Sequence, residues 1–221
     1  MILLKNYEAP QWNIREIMRY ARIRGADDSY RGLIEGCIDE AKPHLSYRVS
    51  YTYLDVKRDK GLVLGSIEAD CETIKKAIKN ADKVLLFAAT VGAPFDRLIE
   101  RYNKTEPSKA LIMQAIGAER VESLCDAFCV EINGELSKCS KRLTTRVSPG
   151  YGDIPLTMQK DIFAVLDCPR KIGLTLDESL LMSPSKSVTA ICGIVDEGEA
   201  VENNRCDECC KADCVYKTIS E

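Results

Sequence analysis

The chain has 221 residues, 45% of them apolar and 29% charged, which is enough to build a buried core and excludes a wholly disordered polymer. Lys and Arg number 31 against 34 Asp and Glu, a net charge of −3, so the basic footprint of a nucleic-acid binder is missing and no local basic run supplies it. The single histidine, His44, argues against His-based catalytic triads and against any metal site built from several histidines of this chain.

Eleven cysteines are too many to ignore, but their number is odd and the chain is too long to need disulfide staples. The opening Met1-Ile2-Leu3-Leu4-Lys5-Asn6 is too short an apolar stretch for an export signal. The longest uncharged, largely apolar run, residues 84–93, is about half of a membrane span. These features predict a cytoplasmic protein, with no membrane partner, whose thiols are reduced and serve either as small buried hydrophobes or as metal ligands.

Along the chain, Ile14, Ile17, Met18 and Ala21 recur at helical spacing, followed by Leu33, Ile34, Cys37, Ile38 and Ala41. Residues 46–56 alternate Tyr47, Val49, Tyr51 and Tyr53, predicting a half-buried strand, and residues 61–67 form a second β-rich run. Ile74, Ala77 and Ile78 mark a helix. Val84-Leu85-Leu86-Phe87-Ala88-Ala89 predicts a fully buried strand, broken by Gly92-Ala93-Pro94 before another helix. A long helix follows, with Thr105 as its N-cap and Pro107 in the first turn. Its inward face is expected to carry Leu111, Ala115, Val121, Leu124, Cys125 and Phe128, ending near Gly134. After a loop over residues 144–153 come a helix at 158–166 and two β-like runs, 172–176 and 187–195. Past Asp196 the composition turns acidic and then Cys-rich, which divides the chain into a body, 1–195, and a tail, 196–221.

Two segments carry chemistry. In Arg146-Val147-Ser148-Pro149-Gly150-Tyr151-Gly152-Asp153, the proline and glycines allow a sharp turn close to a ligand. Arg146 offers a planar fork for a carboxylate, and Tyr151 a flat face with a hydroxyl. This suits a zwitterionic small molecule with a ring portion; the same residues also suit an ordinary Pro-Gly turn with Arg146 in a surface ion pair. In the tail, Cys206, Cys209, Cys210 and Cys214 fall within nine residues, and the C-x2-C pair has metal-ligand spacing suited to zinc or an iron–sulfur cluster. A thiol-bearing tail without metal, or a redox pair, satisfies the same pattern. The other seven cysteines read as structural.

Taken together, Arg146-x-Ser148-Pro149-Gly150-Tyr151-Gly152-Asp153, Leu156-x-x-Gln159, Ile172-Gly173-Leu174, Asp177-Glu178-Ser179 and Ser187-Val188-Thr189-Ala190-Ile191 resemble the activation domain of cobalamin-dependent methionine synthase, in its stand-alone short form. Upstream, Phe87-Ala88-Ala89-Thr90-Val91-Gly92 and the helix through residues 115–128 are similar to the same family. The resemblance implies an α+β fold: a single curved domain with a twisted, mainly antiparallel sheet and flanking helices, here with a short Cys-rich tail. It implies S-adenosylmethionine binding and reductive methylation of a cob(II)alamin, with a flavodoxin-type or other low-potential electron donor. Arg146 would meet the ligand carboxylate, Ser148 would add backbone bonding, and Pro149, Gly150 and Tyr151 would form the wall.

The resemblance also places a ligand-contacting carboxylate at Glu122, a position equally suited to a solvated helix carboxylate. A second family carboxylate position is occupied by Ser140, and the N-terminal acidic contact has no assigned residue, with Asp27 and Asp28 nearby. No Asp-x-His-x-x-Gly sequence is present, so cobalamin is expected on a separate methionine synthase chain lacking its own activation domain. The chain would be a component of methyltransferase activity rather than a complete enzyme, and no side chain is assigned as a catalytic acid or base. Alternatives are a non-catalytic S-adenosylmethionine-binding regulatory module, or a reductive activator of another corrinoid methyltransferase.

Overall fold

The computed structural model describes residues 1–23, 28–59 and 61–198. In chain order the elements are β1 (Leu3–Tyr7), α1 (Ile14–Tyr20), α2 (Asp28–Ala41), β2 (Tyr47–Lys57), β3 (Val63–Leu64), β4 (Ile67–Glu68), α3 (Glu72–Ala77) and β5 (Lys83–Thr90). The second half comprises α4 (Ala93–Thr105), α5 (Pro107–Leu136), β6 (Lys141–Leu143), α6 (Met158–Leu166), α7 (Cys168–Ile172), β7 (Thr175–Leu176), β8 (Met182–Ser183) and β9 (Ser187–Asp196). The main sheet has seven strands in the order β4-β3-β2-β5-β9-β6, with β1 added to β2, and every pairing is antiparallel. This is the expected α+β architecture, a mainly antiparallel sheet with flanking helices.

Side-chain alternation in β5 explains why its apolar run is unbroken. Leu85, Phe87 and Ala89 point into one core with α1, α2, α4 and α5, while Val84, Leu86 and Ala88 point into another with α3, α6 and α7. A strand covered on both faces has no polar side, so period-two alternation between apolar and polar residues disappears. In β9, Ala190, Cys192 and Ile194 face the first core and Ile191 and Val195 the second. The same reason corrects the expectation for β2: Ser50 and Thr52, on the supposedly exposed face, are buried, and Ser50 Oγ donates to the Leu166 carbonyl at 3.1 Å.

Helix α5, 30 residues and about 45 Å long, forms the spine of the first core. Phe128 wedges between Tyr51 and Phe87, with ring centroids 5.0 Å from each and edge-on geometry. Deeper along the helix, Arg120 is fully buried beside Glu119 and donates to the Pro10 and Gln11 carbonyls at 2.6 and 2.8 Å, with the Trp12 ring 3.9 Å from the guanidinium carbon. The segment leading into α1 is thereby clamped to α5. Lys5 and Tyr7 of β1 bind Glu131 on the same helix.

Several local expectations are corrected. Thr105 ends α4 rather than capping α5: its hydroxyl donates back to the Arg101 carbonyl at 3.1 Å, and Glu106 occupies the N-cap position. Leu111 is 56% exposed and Leu33 is also exposed, because each lies just outside the arc its helix turns to the core. The run at 172–176 is not one strand: Ile172 closes α7, Gly173 adopts the left-handed conformation, and only Thr175–Leu176 pairs, with β8. Of the cysteines assigned structural roles, Cys37, Cys71, Cys125, Cys168 and Cys192 are buried, but Cys129 is partly exposed and Cys139 exposed.

Among the described residues, no helix is long and apolar enough to cross a membrane. The tail cysteines, Cys206, Cys209, Cys210 and Cys214, lie outside the described residues, as does Asp27.

Candidate functional site

The loop over residues 146–153 is held at both ends. At its start, Val147 pairs with Ile191 of β9 through two backbone hydrogen bonds of 3.0 and 2.9 Å. One step back in that antiparallel register, Arg146 falls opposite Cys192, a residue that faces α5, so the Arg146 side chain is delivered to the α5 face of the sheet. At its end, Asp153 accepts from the backbone N–H groups of Glu72 and Thr73 at 2.7 and 2.9 Å. These are orphan donors at the start of α3, whose own N-cap residue, Cys71, supplies no side-chain cap. Gly152 makes that approach possible: it has φ +60°, and a Cβ there would strike the Thr73 hydroxyl.

Between the anchors, Ser148-Pro149-Gly150-Tyr151 closes a turn, with Tyr151 N–H donating to the Ser148 carbonyl at 3.2 Å. Proline in the second position and a glycine at φ +86° in the third are what a type II turn requires. Pro149 is buried and Tyr151 is exposed to solvent.

The Asp153 bonds have a pH signature. Hydrogen bonds from the Thr73 side chain, then the Thr73 and Glu72 backbone, lower its pKa from 3.8 to about 2. A depressed folded-state pKa contributes stability that is present above the unfolded value and lost as pH falls through the folded one. Asp153→Asn, which cannot titrate, is therefore expected to flatten the stability–pH curve between pH 3.8 and about 2. Urea unfolding of both proteins across that range checks this; parallel curves would refute the capping role.

The Arg146 guanidinium binds two carboxylates of α5, donating from Nη1 to Asp126 at 2.8 Å and from Nη2 to Glu122 at 3.0 Å. Arg146 and Glu122, both singled out in the sequence, are thus brought together as an ion pair. Asp126 was not foreseen; it sits one helical turn past Glu122, a spacing that could have suggested it. Side-chain exposure is 25% for Arg146, 44% for Glu122 and 68% for Asp126, so the cluster is open to solvent on its carboxylate side. Burial works against the Arg146 charge, but Cys125, Asp126, Cys129 and Glu122 outweigh it and hold the pKa above its ordinary value. Tyr20, at the end of α1, is a second unforeseen neighbour: burial and the Glu122 carboxylate both push its pKa up. Its distance in sequence left no local signal.

Other sequence-singled positions take supporting places. Gln159 is buried on α6, and Asp177 closes the β7–β8 connection by accepting from Leu181 N–H at 2.9 Å. Ser140 is an exposed residue ending a short 3-10 turn, and supplies no carboxylate. His44 lines an open surface depression of about 320 Å³ with Arg97 and Arg101, residues of α4. Among the described residues no group of three or more His, Cys, Asp or Glu is arranged to hold a metal ion.

The fold is an antiparallel α+β domain in which a charged cluster lies where one long helix, strand β9 and a glycine-rich turn meet. The sequence family described as "Vitamin B12 dependent methionine synthase, activation domain" matches residues 69–208, and the chain belongs to that family. A crystal structure of the MetH reactivation domain bound to AdoHcy is similar in fold, with TM-score 0.62 and 15% identity over 87% of this chain and 78% of that one. Comparison with curated proteins gave no match.

Proposed function

We propose that this activation domain binds S-adenosylmethionine in the Arg146 cleft and supports reductive methylation of cob(II)alamin carried by a separate methionine synthase chain. The observation that carries the reading is the Arg146–Glu122–Asp126 cluster beside the Ser148–Tyr151 turn. One cation and two carboxylates leave the cleft with one net negative charge, complementary to a donor that bears a sulfonium, an ammonium and a carboxylate. The ligand carboxylate takes the Arg146 fork in bidentate fashion. Glu122 and Asp126, displaced from part of that fork, then accept the ligand ammonium, so every charge keeps a partner. Ser148, Pro149, Gly150 and Tyr151 wall the adenosyl side, Tyr151 through its ring face.

S-adenosylmethionine would give up its methyl group and leave as S-adenosylhomocysteine, and a flavodoxin-type or other low-potential protein would supply the one electron that reductive methylation of cob(II)alamin requires. The role of this chain is proximity: it holds the sulfonium methyl where a partner can present the corrin. No proton transfer is required of its side chains. The AdoHcy in the similar crystal structure supports this choice of ligand. We further propose the division into a body, 1–195, and a tail, 196–221, with Cys206, Cys209, Cys210 and Cys214 as ligands of an iron–sulfur cluster or zinc.

The test is reconstitution with a corrinoid methionine synthase in the cob(II) state, a reductant and methyl-labelled S-adenosylmethionine. Label is expected to reach cobalamin much faster with this protein than without it. Equal rates would overturn the reading. Iron and zinc analysis of anaerobically purified protein decides the tail separately.

A further inference from the structure

Away from the Arg146 cluster, a cavity of about 450 Å³ opens beside α3, where the end of β2 and the approach to β3 meet it. Small-molecule sites span roughly 300–1,000 Å³, so the space is sufficient for a compact ligand. Its lining combines three cations, Arg58, Lys75 and Lys79, with one carboxylate, Asp70, and two apolar side chains, Leu62 and Ile78. Arg58 and Lys79 are 21 residues apart in sequence, and no basic run marks the place where the fold brings them to one cavity.

Arg58 is anchored. Its Nη2 donates to the carbonyls of Ile78, Lys79 and Ala81 at 2.9, 3.3 and 2.8 Å, groups lying at and just past the C-terminal end of α3. Its Nε and Nη1 have no acceptor among the described residues, and Lys79 has no carboxylate partner among them either. Lys75 differs, binding Asp70 at 2.6 Å and Glu72 at 3.1 Å. Asp70 is thereby already paired, and its Oδ2 also lies against Gly61, 3.6 Å from where a Cβ would stand.

Three cations against one carboxylate give the lining a net charge of +2, although the whole chain carries −3. Unpaired cations around one concave space repel each other, and a bound anion relieves that cost. A phosphate monoester carries about −1.5 to −2 charges at neutral pH and three acceptor oxygens, which matches both the charge and the unused donors. Leu62 and Ile78, 4% and 0% exposed, add an apolar wall that an inorganic ion would leave unused.

We propose that this cavity binds a small organic phosphate, with the phosphate on Arg58 and Lys79 and the carbon skeleton against Leu62 and Ile78. Lys75, held by two carboxylates, contributes its field rather than a free donor. Nucleic acid and membrane surfaces are disfavoured because they need an extended basic face, whereas Asp59 and Glu72 adjoin the lining residues in sequence or by ion pairing. The site is separate from the methyl-donor cluster and does not rest on the proposed function.

The probe is phenyl phosphate, titrated into the full chain by calorimetry in phosphate-free buffer at low salt, with inorganic phosphate and phenol as controls. Phenyl phosphate is expected to bind at one saturable site, severalfold more tightly than inorganic phosphate, and phenol not to bind. In amide NMR spectra the largest shifts should fall on Gly61, Leu62, Ile78 and Lys79. Lys79→Gln should weaken binding roughly tenfold, as for loss of one hydrogen bond to a charged group, and Asp70→Asn should strengthen it. Arg58→Gln should weaken it at least as much; because Arg58 also holds three carbonyls, the exposed Lys79 keeps the test decisive should that variant not fold. Lys104→Gln, an exposed cation of α4, should have no effect. Absence of saturable binding, shifts centred elsewhere, or unchanged affinity in Lys79→Gln would overturn the site. Displacement of phenyl phosphate by S-adenosylmethionine would also overturn it, by placing the anion at Arg146. A chain that binds phenyl phosphate but not S-adenosylmethionine would refute the proposed function and leave this site standing.

Discussion

Replacing Arg120 with alanine is expected to lower the unfolding free energy by about 3–5 kcal/mol, as for breaking a buried ion pair from one side. Arg120 and Glu119 have side-chain exposures of 0% and 2%, so the Glu119 carboxylate would stay in the core without its countercharge. The remaining partners of Glu119 are the Ser123 hydroxyl at 2.8 Å and Asn13 N–H at 3.2 Å, both neutral donors. The Pro10 and Gln11 carbonyls would lose their donors, and the Trp12 ring the cation on its face. Urea unfolding measures the loss. Replacing the pair together, Glu119→Gln with Arg120→Met, should recover part of it, because no uncompensated charge then remains. An Arg120→Ala loss below about 1 kcal/mol would mean that the pair contributes no more than an exposed one does. Since the Pro10–Trp12 segment leads into α1, whose last residue Tyr20 neighbours Glu122, the same variant should also loosen one side of the cleft.

The second large effect concerns ligand rather than stability. Arg146→Ala is expected to weaken S-adenosylmethionine binding by roughly thirtyfold or more, from the loss of charge-assisted hydrogen bonds to the ligand carboxylate. Arg146→Lys should recover only a small part, because an ammonium cannot present a planar fork. Stability should change much less: both carboxylate partners are substantially exposed, and exposed ion pairs contribute at most about 1 kcal/mol. The contrast distinguishes a binding residue from a structural one. Unchanged affinity by calorimetry, in a variant that remains folded, would remove Arg146 from the site.

The elements most legible in the sequence were those whose burial is encoded locally. The run Val84-Leu85-Leu86-Phe87-Ala88-Ala89 identified β5 because a strand between two helical layers must be apolar at every position. The turn at Ser148–Tyr151 was legible because Pro followed by Gly fits the backbone angles of a type II turn. Less legible were positions where neighbouring elements compete for the same residues. Thr105 had the chemistry of a helix start, yet its hydroxyl satisfies the last turn of α4. Ser50 and Thr52 looked like a solvent face, and became buried once α6 and α7 covered that side of β2.

The motif around Arg146 likewise divides into a local and a non-local part. Its turn geometry, the conformational role of its glycines and the presence of a guanidinium followed from the sequence by itself, since they depend on residues a few positions apart. So did a single-histidine chain without a multi-His metal site, and helices and strands of the right kind in nearly the right places. Only the tertiary structure decided that Arg146 meets Asp126 as well as Glu122, and that Asp153 caps a helix 80 residues away. The Arg146 contacts depend on the register of β9 against the 146–153 loop and on the rotation of α5 over the sheet. Those quantities are set by packing across the whole core, where a shift of one residue would turn Arg146 to the opposite face and leave the cleft without its cation.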